Sequence, residues 1–473
     1  MNTAGSKIRF VERLGYGIGD FASNLIYAAI TSFLLFYYTD VAGLASGIIG
    51  TIMFLTRVFD AFVDVGVGIL VDKTRSKHGK ARPWLLWMCV PFGIVAFLLF
   101  SVPDIGSTGK LIYVVVTYLL VNIIFSAINI PYGVLGTLIS QDQYQRTVLN
   151  IFRMFLSTVC SVMMGVYVLP IVNTMGGGRA AWSITFAIFG VLSIVLFIVT
   201  FLTTKERVTP SATTTEAMQH VPVKKGVAAL FKNKYWVMML VFMVIAYITN
   251  GLGGANVYFA RYVLGDEGLM GMITICSLVP MLLGMFLVAP LVKRTGKRNA
   301  MIAGSMISSA GLILMMIHPT SILLVMVGLV VKSLGMAPMA GSMWAMLADT
   351  VEYGEWKTGI RNEGLVYSAG SFGTKVGSGL GAALIGWILA WGGYVAEQAQ
   401  QTSTALISLQ ALFIYIPLIF NILMIVILIF YKLDREYPVI LKELQDRNMS
   451  GHHELRPVPK EVTGTNDNPK LTY

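Results

Sequence analysis

Long apolar stretches dominate this sequence and limit the folds that it can adopt. Of its 473 residues, 56% are hydrophobic and only 12% are charged, and the mean hydropathy is +0.72. One water-soluble core cannot bury so much apolar surface. A bilayer core about 30 Å thick is crossed by a helix of roughly 20 apolar residues. The sequence therefore predicts an all-α membrane protein.

Twelve stretches are long and apolar enough to cross a bilayer. We predict transmembrane helices over Leu14–Tyr38, Ser46–Val71, Pro83–Val102, Lys110–Ile139, Thr147–Val172, Trp182–Thr203, Tyr235–Val263, Leu269–Val292, Ala300–Ile317, Ser321–Leu347, Gly364–Trp391 and Thr404–Tyr431.

The basic residues occur in alternate loops. The net charge is +11, but these residues do not share one face, so the charge does not indicate a nucleic-acid partner. Clusters follow the second, sixth and eighth spans: Lys73, Arg75, Lys77, Lys80 and Arg82; Lys205, Arg207, Lys224, Lys225, Lys232 and Lys234; Lys293, Arg294, Lys297 and Arg298. Basic loops remain on the cytoplasmic side of a membrane. We predict that these loops and both termini are cytoplasmic.

A polar segment divides the chain into two halves of six spans. It contains Pro210-Ser-Ala-Thr-Thr-Thr215, a composition typical of a flexible linker. Leu70-Val-Asp-Lys-Thr-Arg75 after the second span is echoed by Leu291-Val-Lys-Arg-Thr after the eighth. We predict a six-helix bundle over 1–203, a linker over 204–234, a second bundle over 235–431 and a cytoplasmic tail over 432–473. Two such bundles around a central cavity resemble the major facilitator superfamily.

Nothing in the residue spacing predicts an enzyme. Cys89, Cys160 and Cys276 lie inside predicted spans and show neither disulfide nor metal-site spacing. No pairing of a nucleophile with a base is apparent, and we expect no cofactor. The first apolar stretch is full length and lacks a convincing cleavage site, so we expect it to remain as a span.

Two carboxylates lie near the middle of the second span. Asp60 and Asp64 are four residues apart and share one helix face. Charge at this depth costs at least about 2.5 to 3.5 kcal/mol on insertion scales. A pair of carboxylates can share a proton or ligate Na⁺, and Ser126 in the fourth span can add a hydroxyl. The alternatives are that Arg57 only neutralises Asp60, and that Ser126 only packs or bonds to backbone.

A polar stripe on the first span suits a sugar. Asp20, Asn24 and Tyr27 share a face and offer acceptors, an amide and an aromatic ring. We favour sugar binding over simple hydrogen bonding between helices, which is the alternative.

Three basic residues also lie within spans. Arg153 either faces the cavity or extends to the membrane surface. Lys375 is too deep to reach the surface easily, and we expect it to face the cavity. Lys332 is similarly deep; it either binds a substrate anion or pairs with an acid such as Asp60.

Acids and bases interleave after the tenth span, from Ala348 to Arg361. Two interpretations of this segment are equally supported. The segment forms a cytoplasmic ionic latch between the halves, or it is a solvated loop. The latch would set Asp349, Glu352 and Glu363 against Arg146, Arg294 or Lys297.

Motifs along nearly the whole chain resemble the glycoside–pentoside–hexuronide:cation symporter family, which includes melibiose permease. The matching segments are Gly15-Tyr-Gly-Ile-Gly-Asp20, Tyr37-Tyr-Thr-Asp40, Arg57-Val-Phe-Asp-Ala-Phe-Val-Asp64, Gly79-Lys-Ala-Arg-Pro-Trp84, Asn129-Ile-Pro-Tyr132 and the segment from Ala348 to Arg361. The resemblance implies cation-coupled symport in a bacterial plasma membrane.

The same resemblance implies which residues bind the two solutes. The family's cation site falls on Asp60, Asp64 and Ser126, and these acids would be metal ligands only if Na⁺ is the coupling ion. Its sugar site falls on Asp20, Tyr27, Asn129, Arg153 and Lys375, the last beside the cation site.

Two departures bear on the substrate and the ion. Melibiose permease has an acid where this chain has Asn129 and a tryptophan where it has Gly133, so the motifs look more like the glucuronide and pentoside branches. We expect symport of a glycoside, pentoside or glucuronide by a monomer, with H⁺ favoured over Na⁺. With Lys332, Lys375 and Arg153 around the cavity, a uronide would be preferred. Lysolipid or drug transport is the alternative, and it predicts an apolar cavity.

Overall fold

The computed structural model describes residues 8–140, 142–207, 223–360, 363–396, 398 and 400–449. All regular secondary structure in these ranges is helical. The first half contains α1 Phe10–Phe36, α2 Ser46–Lys73, α3 Arg82–Leu99, α4 Ser107–Ile139, α5 Gln143–Thr174 and α6 Arg179–Thr203. The second contains α7 Val223–Lys232, α8 Lys234–Gly251, α9 Ala255–Tyr258, α10 Met270–Thr295, α11 Lys297–Ile317, α12 Ile322–Thr358, α13 Glu363–Trp391, α14 Ser403–Gln410, α15 Ile416–Phe430 and α16 Leu433–Met449.

Within these ranges, eleven spans are long and apolar enough to cross a membrane by length and composition. The charged helix α2 is 28 residues long and packs between α4 and α13, so it lies among the spans. The seventh span joins α8 to α9 through a short 3₁₀ turn, and the twelfth joins α14 to α15. The prediction of an all-α membrane protein is confirmed.

The first and seventh spans end in the same backbone motif. Each closes with a π-helical turn, Tyr37–Val41 and Phe259–Val263. A left-handed glycine follows each turn, Gly43 (φ 74°) and Gly265 (φ 78°), which a residue with a Cβ adopts only at a cost. The two halves are therefore similar at both ends of their spans: in sequence at the basic loops, and in backbone conformation at the opposite end.

At the end with the basic loops, each half has a similar hydrogen-bonded contact within itself, between an acid and the start of a helix. After α6, the Glu206 carboxylate accepts the backbone N–H groups of Lys80, Ala81 and Arg82 at the start of α3, each at 2.8 Å. After α15, Asp434 accepts the N–H of Arg298 near the start of α11 at 2.8 Å. In both halves an acid satisfies free N–H groups at a helix start, where the helix dipole favours negative charge.

Three segments are more helical than the sequence suggested. The acid and base segment after the tenth span continues α12 to Thr358, so it is not an irregular loop up to that residue. It lacks proline, and the helix stops at Gly359, whose φ is 70°. The helices α7 and α16 lie within the predicted linker and tail.

The halves approach closely at the end of the spans opposite the basic loops. A Cβ at Gly50 of α2 would lie 2.9 Å from the backbone oxygen of Ala383, and one at Gly165 of α5 would lie 2.3 Å from the Thr274 hydroxyl. Small residues let membrane helices pack this closely. Nearer mid-span, the same helices border a central cavity.

Candidate functional site

A cavity of about 330 Å³ lies between the two halves. It is lined by nine of the ten residues predicted to bind cation or substrate: Asp20, Asn24, Tyr27, Asp60, Asp64, Ser126, Asn129, Arg153 and Lys375. The first eight belong to the first half, and Lys375 enters from α13 of the second. The structure thus brings these side chains together, while their functional roles stay predictions.

One end of the cavity holds the two carboxylates of α2. The hydroxyl of Ser126 donates to Asp60 Oδ1 at 2.9 Å and lies 2.6 Å from Asp64 Oδ1. Lys375 Nζ is 2.8 Å from Asp60 Oδ2 and also pairs with Asp64 Oδ2. The i, i+4 spacing of the acids presents both to one lysine.

The glycines on one face of α13 allow this pairing. A Cβ on Gly379 would lie 2.8 Å from the Cβ of Arg57, so the glycine lets α13 press against α2. Lys375 is one turn away on α13 and reaches across the interface between the halves. A single ammonium group therefore joins both halves in the middle of the molecule.

Arg57 is a secondary partner of Asp60. Its guanidinium is 4.0 Å from Asp60 and lies 5.3 Å from the ring centre of Tyr27. The interpretation that Arg57 alone neutralises Asp60 is therefore wrong, because Lys375 is closer and holds both acids. Phe125 stacks on the Tyr27 ring with centroids 4.9 Å apart. Tyr27 thus has two neighbours on its ring and is less open as a sugar platform than the sequence suggested.

The other end of the cavity is organised by Asp20 and Arg153. Arg153 Nε is 3.3 Å from Asp20 Oδ1, and its guanidinium lies 5.2 Å from the ring centre of Tyr132. The Tyr132 hydroxyl donates to the carbonyl of Tyr16 on α1 at 2.5 Å. Arg153 is thus held inside the cavity and does not extend to the membrane surface.

Two amides complete the polar lining at this end. Asn24 Nδ2 donates to Ser157 Oγ at 2.8 Å and to the carbonyl of Asp20 at 2.9 Å, which leaves its oxygen for another donor. The side-chain amide of Asn129 has no hydrogen-bond partner among the described residues. An amide of this kind both donates and accepts, as a sugar hydroxyl requires.

Lys332 is not part of this site, and its prediction as a cavity residue is wrong. It lines a separate space of about 10 Å³ inside the second half, with Ser305, Ser308 and Asn421. That volume is about the size of one water molecule. Lys332 and Lys375 are both deep in their spans, but the helical rotation of α12 directs Lys332 away from the acids of α2.

One pair of the possible ionic latch forms, but within a single half. Asp349 pairs with Lys297, but both belong to the second half, so this pair does not bridge the halves. Arg146 donates to the carbonyls of Ser140 and Thr137 in its own half.

The sequence analysis missed four cavity residues from the second half: Tyr247, Asn250, Thr374 and Ser378. Tyr247 and Asn250 are three residues apart in an otherwise apolar span, and the spacing alone identifies a polar face. Thr374 and Ser378 adjoin Lys375. Within the described lining, three acids (Asp20, Asp60 and Asp64) balance three bases (Arg57, Arg153 and Lys375).

Comparison with known proteins agrees with this architecture. The family model described as MFS/sugar transport protein matches residues 15–435. The isoprimeverose transporter of Lactiplantibacillus pentosus is 35% identical over 92% of this chain and 91% of its own. The glucuronide carrier protein homolog of Escherichia coli (strain K12) is 34% identical over 92% and 95%, and the putative glycoside/cation symporter YagG of the same strain is 33% identical over 93% and 95%.

A solved structure shares the fold at low sequence identity. The nucleoside transporter NupG matches with a TM-score of 0.61 and 14% identity, over 90% of this chain and 99% of its own. With the family model, the relatives and the polar cavity between two halves in agreement, the chain belongs to the MFS/sugar transport protein family, and it is a membrane transporter for sugar-type solutes and not an enzyme.

Proposed function

We propose that the chain carries a glycoside, pentoside or glucuronide into a bacterial cell together with a cation, by alternating access of the central cavity. The observation that carries this proposal is the contact of Lys375 with both Asp60 and Asp64 across the two halves. The Asp20–Arg153 pair lies in the same cavity. An ion-responsive cluster and a polar sugar site therefore share one space.

Lys375 occupies the place that a coupling cation needs. An ion that binds Asp60 and Asp64 competes with the ammonium group of Lys375 for the same carboxylate oxygens. Its arrival weakens the link that Lys375 makes between the halves. Binding of the ion thereby changes the free energy of rocking one half against the other, and differential binding of this kind is required for any coupled conformational change.

H⁺ suits this cluster better than Na⁺. A proton needs a single carboxylate oxygen, whereas Na⁺ needs several oxygens at once. The single hydroxyl proton of Ser126 is already donated to one of the acids, and Asn129 supplies no negative charge nearby. If Na⁺ is the ion, Asp60 and Asp64 are its protein ligands. Protonation of one acid leaves the other paired with Lys375.

At the other end of the cavity, Asp20, Asn24, Asn129 and Arg153 are the sugar-binding groups. Arg153 and Asn129 donate to hydroxyl oxygens, and Asp20 accepts from hydroxyl hydrogens. This polar lining favours a sugar over the lysolipid or drug of the alternative. Lys375 lines the same cavity and links sugar occupancy to ion occupancy.

We infer from the basic loops that both termini are cytoplasmic, and we propose that the transporter works as a monomer with its own cavity. Uptake of radiolabelled glycosides into vesicles tests the proposal, with pH and Na⁺ gradients imposed separately. We expect accumulation to follow the pH gradient and to collapse with a protonophore. Accumulation that follows a Na⁺ gradient at fixed pH and ignores the protonophore would refute H⁺ coupling.

Substitution of the acids tests the site itself. We expect Asp60→Asn and Asp64→Asn each to abolish accumulation while sparing downhill exchange. Asp72→Asn is the matched control, because Asp72 lies on the same helix but is exposed and pairs with Lys80 outside the cavity. Full accumulation by either mutant would remove the carboxylates from the coupling site.

A further inference from the structure

Five side chains join the halves at the end opposite the basic loops, and we call them the outer cluster: Thr39, Asp40, Tyr258, Tyr262 and Tyr394. Asp40 is 3% exposed and lies in the π-helical turn that ends the first span. Its Oδ1 accepts hydrogen bonds from the hydroxyls of Tyr262 and Tyr394, both at 2.6 Å. One buried carboxylate of the first half is therefore held by two phenols of the second.

The neighbouring contacts extend this junction. Thr39 Oγ1 donates to Asp40 Oδ2 at 2.7 Å and shares a hydrogen bond of 2.7 Å with the Tyr258 hydroxyl. Tyr394 packs edge-to-face on Tyr258 and on Tyr262, with ring centres 5.6 and 5.4 Å apart. The carboxylate is thus enclosed by aromatic rings that exclude water, where hydrogen bonds to a charged group are strong.

The cluster lies where the two repeats of the fold meet. Asp40 and Tyr262 are 222 residues apart, and the same offset separates the two π-helical turns that contain them. The two residues therefore hold equivalent positions, and they contact each other directly. An interaction between equivalent positions forms only when the two spans converge at this end.

We propose that the outer cluster is the extracellular gate of the transport cycle, which closes the central cavity to the outside and must separate before substrate enters. None of its residues lines the cavity, so it controls access and does not bind the solute. The assignment of this end to the outside rests on the proposed topology. The gate closes through Asp40 accepting from Tyr262 and Tyr394, and it opens when water replaces the two phenols.

The test measures access to the cavity from each side. Ile130→Cys, in a background with Cys89, Cys160 and Cys276 replaced by serine, places a reporter thiol in the cavity wall. Intact cells and inside-out vesicles are treated with a membrane-impermeant maleimide. Asp40→Asn should raise the labelling rate from outside about tenfold, because an amide is a weaker acceptor than a carboxylate.

Two further variants guard against misfolding as the explanation. Tyr262→Phe and Tyr394→Phe remove one hydroxyl each and retain the ring contacts, and each should raise outside labelling on the order of threefold. Asp104→Asn is the charge control: Asp104 is exposed at the same end, but its partners Lys110 and Arg179 are in its own half. It should label at the parent rate.

The outcomes separate the gate from the topology. Faster labelling only in inside-out vesicles would support the gate and overturn the proposed orientation. Labelling of Asp40→Asn and both phenylalanine variants at the parent rate from either side would overturn the gate.

Discussion

Arg153 is fixed on two sides before any substrate arrives. Asp20 holds one edge of the guanidinium and Tyr132 covers a face. A preorganised charged donor loses little side-chain entropy when it binds a sugar oxygen. Arg153 is thus a fixed part of the proposed sugar site and not a mobile arm.

We expect Arg153→Ala and Asp20→Ala to abolish measurable glycoside binding while leaving a folded protein. Each mutation removes charged hydrogen bonds worth about 2 kcal/mol or more and leaves its partner unpaired. Calorimetric titration of the purified variants checks this. Arg146→Ala is the control, since Arg146 lies on the same helix as Arg153 and, among the described residues, its side chain bonds to the carbonyls of Ser140 and Thr137 outside the cavity. Parent affinity in both mutants would remove the pair from the site.

Lys375 permits a second test at this scale. In Lys375→Ala, two carboxylates remain close together without their shared cation, so the unloaded carrier is poorly able to reorient. We expect net uptake to fall by at least about tenfold while exchange of internal for external substrate persists. Paired uptake and counterflow assays distinguish these steps. Lys375→Arg, which keeps the charge, should retain more net uptake, and equal loss in both would contradict the argument.

Most of the cavity was predictable because polar residues are costly inside a membrane. Asp20, Asp60 and Asp64 stand out at depth, and helical spacing places neighbours on the same face. The resemblance to the symporter family placed Lys375 beside the cation site, but the depth of the residues alone could not identify the partner across the interface. Lys332 and Lys375 are equally deep lysines, and only the rotation of α12 and α13 decides which one meets the acids.

At the scale of elements, α2 and α13 form a close interface between the halves. A Cβ on Gly386 would lie 2.3 Å from the carbonyl of Ser46, and one on Gly50 would lie 2.9 Å from that of Ala383. Backbone this close leaves no room for side chains. Movement of one half therefore requires these helices to separate or slide where they are packed most tightly.

A reversible cross-link at this interface tests that requirement. A Cβ on Gly47 would be 3.2 Å from that of Ala390, near the separation found in disulfides. We expect Gly47→Cys with Ala390→Cys to lose transport on oxidation and to regain it on reduction. The single-cysteine variants should be insensitive to oxidant. Undiminished transport by a fully cross-linked sample would show that this end does not open.

The matched acids at the basic end should act on stability alone. Glu206→Gln weakens three hydrogen bonds at the start of α3, and we expect it to lower the free energy of unfolding by about 1 kcal/mol. Substrate affinity should not change, because Glu206 lies outside the cavity lining. Thermal unfolding in detergent, followed with and without substrate, measures both. A loss of affinity at parent stability would contradict this assignment.

Element ends were the least predictable part of the fold. The apolar pattern located the spans but gave no sign of the π-helical turns after α1 and α9, which depend on how the two halves meet. The helical extension of α12 was missed because its charges resemble those of a solvated loop. The Glu and Lys residues of this segment favour helix, and the segment is stabilised as part of α12 by packing against α16.

At the scale of the whole molecule, the balance of charge in the cavity bears on the choice of substrate. With Lys332 outside the cavity, three bases face three acids, so the site does not attract an anion by net charge. Protonation of one acid adds a positive charge. Uronide binding should therefore strengthen as the pH falls, while binding of the neutral parent glycoside should not, as competition assays at several pH values can measure. A pH-independent ratio of the two affinities would contradict this link.

With the proposed H⁺ coupling, the balance of three acids and three bases in the described cavity lining also determines which half of the cycle senses the membrane voltage. With its internal charges balanced, the empty carrier returns without moving net charge, and the potential does not oppose its return. A carrier loaded with H⁺ and a neutral glycoside moves one positive charge, for which a potential of 100 mV supplies about 2.3 kcal/mol. With H⁺ and a uronide it moves none. The same cavity would then concentrate neutral glycosides by voltage and pH together, but uronides by the pH difference alone.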